Sequence, residues 1–125
     1  MKITSFTPQI LTSHFDEVVK VFEALGFQKK HNPTGTSGTG SQFEGAWMED
    51  ANGFHVDVTS STRMPEKDIT AIRMNVDDYD QAHEWLLSQG FKSATGEKAT
   101  ETKSVKADLL VAPSGFGISL VEHKK

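Results

Sequence analysis

Apolar residues recur along this chain at two alternating periods, and the order of those periods repeats. Ile3 and Ile69 each open a short run with strand character, and each run leads into a stretch whose apolar residues return every three or four positions. In the first stretch Phe15, Val18, Val19, Phe22 and Leu25 gather on one helical face; in the second, Tyr79, Ala82, Trp85 and Leu86 do the same. The spacing predicts two amphipathic helices, each with one side to bury. Ser13 with Asp16, and Asp78 with Gln81, have the form of capping boxes at their starts. Gly26-Phe27 and Gly90-Phe91 mark their ends, glycine supplying the left-handed residue that turns the chain into the next strand. Sliding the chain over itself by about 64 positions brings these signals into step.

Beyond each helix comes a polar segment and then a hairpin. One spans 43–59 and turns at Asp50-Ala51-Asn52-Gly53; the other spans 105–121 and turns at Pro113-Ser114-Gly115. The expected fold class is therefore α+β, a single domain over 1–125 built from two tandem βαβββ modules, 1–61 and 66–125, with 60–68 and its Pro65 as the linker. A lone unit of this kind leaves one sheet face bare once its helix covers the other, so two units are expected to form a cleft between curved mixed sheets.

Strand alternation assigns the faces. Phe54, Val56 and Val58 are expected against the helix, with His55, Asp57 and Thr59 on the other side. A two-residue hairpin loop would put Ala46 and Met48 on the His55 and Asp57 face and Trp47 in the helix-packed core. In the second half Ile72, Met74 and Val76 read as core. Ala71, Arg73 and Asn75 then point into the cleft with Ser119 and Val121, and Asp108 and Leu110 lie opposite.

Composition narrows the function. A formal charge of −4, with basic residues scattered singly, gives no positive field for a phosphate backbone, so nucleic-acid binding is not expected. With no Cys there are no disulfides, thiolate nucleophiles or Cys-ligated metals, and the cytoplasm is the expected compartment. No apolar run approaches the roughly 18 residues that suggest a membrane span. Segment 32–42 carries Gly35, Gly38 and Gly40 but lacks the Gly-Lys-Ser/Thr ending of a phosphate loop, and reads as a loop between strands.

The paired modules, the Gly-Phe after each helix, Val76-Asp77-Asp78 leading into the second helix, and Ala112-Pro113-Ser114-Gly115-Phe116-Gly117-Ile118-Ser119-Leu120 resemble the vicinal oxygen chelate superfamily. That superfamily holds glyoxalase, bleomycin-resistance and extradiol dioxygenase proteins. The resemblance implies a homodimer, and in metal-dependent members a His or Glu on the first and last strand of each module. Those four slots fall at or beside Phe6, Asp57, Ala71 and Ser119, of which only Asp57 is a metal ligand type. The expectation is a metal-free, cofactor-free member that binds an organic small molecule, as the bleomycin-binding branch does.

The expected ligand contacts are Phe6, Met48, His55, Asp57, Arg73, Asn75, Asp108, Leu110 and Ser119. Phe6 and Met48 would give an apolar wall. Arg73 would clamp a carboxylate or phosphate, or else pair internally with Asp57 or Asp108. The rival reading is a divergent lyase or isomerase, or a dioxygenase-family enzyme, in which His55 and Asp57 move protons and Arg73 stabilises an oxyanion.

Overall fold

The computed structural model describes residues 1–125 apart from 33, 37–41, 62–66, 95, 97, 98, 102 and 125, and, for 35, 36, 61 and 100, the backbone alone. Its elements in chain order are β1 (Ile3–Leu11), α1 (Phe15–Ala24), β2 (Gln28–His31), β3 (Thr34–Thr36), β4 (Gln42–Glu49), β5 (His55–Ser61), β6 (Ile69–Val76), α2 (Tyr79–Ser88), β7 (Lys92–Ser93), β8 (Thr100–Glu101), β9 (Val105–Val111) and β10 (Gly117–His123). The fold is α+β, and each half follows the expected βαβββ order with its second strand split in two. β2 and β3 both pair with β4, as β7 and β8 both pair with β9. Most of the linker with Pro65, and Gly38 and Gly40 of the glycine-rich loop, lie outside the described residues.

The chain forms two compact units, Thr7–Thr70 and Met1–Phe6 with Ala71–Lys125, called here the N-terminal and C-terminal units. In the N-terminal unit β1 runs parallel to β5, with Gln9 beside Asp57, and β5 is antiparallel to β4. In the C-terminal unit β6 lies between β1 and β10; it is parallel to β10, with Arg73 beside Ser119, and β10 is antiparallel to β9. β1 thus gives its first residues to one unit and its last to the other.

Each unit buries one helix on one sheet face. Phe15 and Val19 of α1, with Val18 and Phe22 beside them, pack on Ala46, Met48, Val56 and Val58. Tyr79, Ala82 and Leu86 of α2 pack on Met74, Val76, Leu110 and Leu120. A fully buried side chain of this size contributes about 1.5–3 kcal/mol through removal from water. Trp85, expected on this stripe, is instead 59% exposed. It follows Ala82 and precedes Leu86, and a step of about 100° per residue carries it off the side those two share. Leu25 and Phe54, also expected inside, are exposed, Leu25 as the residue after the last helical turn and Phe54 at a hairpin tip.

The helix ends follow the sequence at three of four points. Asp78 caps α2 by accepting from the Gln81 N–H at 3.0 Å, and Gly26 and Gly90 take φ of 105° and 94° after their helices. The exception is α1: its N-cap is His14, with no side-chain cap, and Thr12 Oγ1 accepts from the His14 N–H at 2.9 Å, so the Ser13 capping box does not form.

Candidate functional site

Hairpin loop length decides which side chains share a face. The β4–β5 loop has three residues, 51–53. The Asp50 N–H donates to the Phe54 carbonyl at 3.0 Å, Asp50 Oδ1 accepts from the Asn52 and Phe54 N–H groups, and Gly53 has φ of 85°. Odd positions therefore face odd: Trp47 is opposite Asp57 and Glu49 opposite His55, while Met48 is opposite Val56. This corrects the expected pairing. Met48, 1% exposed, belongs with Ala46 to the core under α1, and Trp47 joins the helix-free face.

On that face Gln9 Nε2 donates to Thr59 Oγ1 at 3.2 Å, and Thr59 Oγ1 donates to Asp57 Oδ1 at 3.0 Å. A hydroxyl can do both at once, so an amide, a hydroxyl and a carboxylate form one directed chain. Its ends are deeply buried, Gln9 at 5% and Asp57 at 2% exposure. Beside it the Trp47 ring meets His31 at 4.6 Å, tilted by 56°. His55 lies at the edge, exposed, with Glu49 Oε1 3.9 Å from its Nδ1. His55 and Asp57 lie side by side on this face, and no hydrogen bond joins them among the described residues.

The C-terminal unit repeats this logic. The β9–β10 loop is again three residues: the Ala112 N–H donates to the Phe116 carbonyl at 2.8 Å, and Gly115 has φ of 109°. Arg73 and Asn75 share the helix-free face with Ser119 and Val121, as expected, and are joined there by Leu109 and Ala107. Arg73 Nε donates to Asn75 Oδ1 at 3.3 Å. Phe6 is 62% exposed. Asp108 and Leu110 are corrections, because their register partners are Leu120 and Ile118 on the α2 side. Leu110 is core, and Asp108 cannot meet Arg73 from the opposite face.

Asp108 accepts from Ser93 Oγ at 3.2 Å, and burial pushes its carboxyl above the usual range. Nearby, the Tyr79 ring stacks on His83 at 5.3 Å, and its hydroxyl is buried with no hydrogen-bond partner among the described residues. Burial and the Asp108 charge both push that phenol up. An unpaired buried hydroxyl costs about 1–3 kcal/mol. Tyr79→Phe is therefore expected to leave the free energy of unfolding in urea unchanged or raise it by about 1 kcal/mol; a loss of that size would mean the hydroxyl is bonded in solution.

A divalent ion is what the resembled superfamily implies, and the donor set does not fit one. Phe6 and Ala71 offer carbon, Ser119 a neutral hydroxyl, and Asp57 is already bonded to Thr59. Among the described residues no group of three or more His, Asp or Glu is placed to hold a metal.

Gln9, His31 and Trp47 escaped the sequence reading. Asn52-Gly53 was the available signal for Trp47, since Gly at the last loop position marks a three-residue turn. Gln9 had none, because its partner lies about 50 residues away on a parallel strand.

The duplicated βαβββ units with parallel first and last strands are the fold of vicinal oxygen chelate proteins. Among solved structures the chain is similar to methylmalonyl-CoA epimerase from Mycobacterium tuberculosis, at 17% identity and a TM-score of 0.63 over 98% of this chain and 90% of that one. A Streptomyces coelicolor methylmalonyl-CoA epimerase variant in complex with 2-nitronate-propionyl-CoA matches at 16% identity and a TM-score of 0.61, over 99% and 100% of the two chains. A methylmalonyl-CoA epimerase in complex with methylmalonyl-CoA and NH4+ gives 16% and 0.60, over 98% and 96%. These likenesses concern the fold. No family model and no curated protein matches the sequence. No helix among the described residues is long and apolar enough to cross a membrane.

Proposed function

We propose that this protein binds an organic small molecule, without a metal, on the helix-free faces of its sheets. The observation that carries the reading is the Gln9–Thr59–Asp57 chain. A carboxylate and an amide kept out of water cost several kcal/mol unless they are well bonded. Here they stand on a sheet surface with no helix of their own unit over it, where the core does not require them. Arg73, Asn75 and Ser119 give the other unit's face a polar set suited to an acidic group. The solved relatives in complex with CoA thioesters are consistent with the use of this fold to hold an acyl compound. A homodimer in the cytoplasm belongs to the same proposal.

The test is thermal unfolding of chelator-treated protein. Ni2+, Zn2+, Mn2+ and Fe2+ are expected to leave Tm unchanged, while members of a panel of acyl-CoA, glycopeptide, aromatic and thiol-conjugate compounds raise it. A ligand at 100 times its Kd adds about 2.7 kcal/mol. Metal-dependent turnover of a hemithioacetal or a catechol would overturn the reading.

A further inference from the structure

Resting on that reading, we propose that Arg73 and His123 form a carboxylate subsite on the helix-free face of the C-terminal unit, where His123 takes a proton from solvent as a small organic acid binds. Arg73 and Ser119 are register partners on adjacent strands, as are Asn75 and Val121. The Arg73 Nε–H donates to Asn75 Oδ1, two residues along β6 on the same face, so the side chain is laid along the strand toward Val121. His123 follows Val121 by two residues on β10 and shares that face, because successive side chains of a strand alternate. The guanidinium end is thus carried toward the imidazole.

Among the described residues, Arg73 is the charge that acts on His123. Partial desolvation and, less strongly, the positive charge of Arg73 hold the imidazole of His123, exposed at the end of β10, below its ordinary range. On β9 the neighbours are Val105 and Ala107, which are uncharged. Glu122 points to the α2 side, where it accepts from the Tyr79 N–H, and Lys124 Nζ is bonded to Glu101. Asp77, just past β6, accepts from the Lys2 N–H. An anion seated beside Arg73 adds negative charge next to a neutral imidazole and draws a proton onto it. The imidazolium then donates a second charge-assisted bond.

Malonate is the probe, followed by NMR titration of the His123 ring and by calorimetry at about pH 6 and about pH 8. The ring signal is assigned by its loss in His123→Gln. Malonate is expected to raise the His123 midpoint, to bind more tightly at the lower pH, and to bind with proton uptake that varies with the buffer's ionisation heat. Arg73→Gln is expected to raise the midpoint of the unliganded protein and weaken malonate by roughly tenfold or more. His123→Gln is expected to weaken malonate several-fold at about pH 6, down to the affinity seen at about pH 8, and to abolish the pH dependence of binding. An unchanged His123 midpoint in Arg73→Gln, or malonate binding indifferent to Arg73, would overturn the subsite. If neutral compounds alone raise Tm, small-molecule binding stands and this subsite fails; if malonate binds as described while no compound of the panel does, the subsite stands and the broader reading fails.

Discussion

Replacing Met48 with alanine is expected to lower the free energy of unfolding by about 2–5 kcal/mol, read from urea titration, the range for truncating a large buried side chain. Met48 is almost wholly buried between Ala46, Val56, Val58 and α1, so the truncation removes packed atoms and leaves a void that a sheet–helix interface closes poorly. Ligand affinity is expected to change by less than about threefold, because the side chain points away from the Gln9–Thr59–Asp57 face. A small stability loss with a large affinity loss would return Met48 to the ligand wall.

Gly90→Ala is expected to cost about 2–3 kcal/mol and the matching change at the first helix, Gly26→Ala, about 1 kcal/mol. Both glycines have positive φ, so both variants incur backbone strain. They differ in space. A methyl group at Gly90 would come within 2.9 Å of Pro113 Cγ, a ring carbon with little freedom to move, whereas at Gly26 nothing lies within 4 Å. Equal losses would show that the turn carrying Pro113 does not rest against the end of α2.

Periodicity made the helices, the strands and the duplicated order legible, because 3.6-residue and two-residue repeats are local properties of the chain. Asp78 and the two C-terminal glycines were legible for the same reason. The faces were not all so. A single residue in a hairpin loop inverts the parity of every pair behind it, and counting two residues, at Ala51-Asn52 or at Asn52-Gly53, where the chain uses three exchanged Met48 with Trp47. Asp108 and Leu110 were misplaced because which face of β9 meets α2 depends on its register with β10. Arg73, Asn75 and Ser119 were placed correctly, since the core alternation of Ile72, Met74 and Val76 fixes them without a loop count. Gln9 depends on a parallel register set by distant residues, and no local pattern encodes it.

The divided membership of β1 limits how this duplicated chain can be taken apart. A polypeptide beginning at residue 66 would lack the strand that lies beside β6, and its sheet would end in a row of unmatched backbone donors and acceptors open to self-association. Residues 1–61 supplied in trans carry the missing edge. The two pieces would therefore behave as a complementing pair, each repeat resembling a complete fold in sequence while borrowing its boundary from the other.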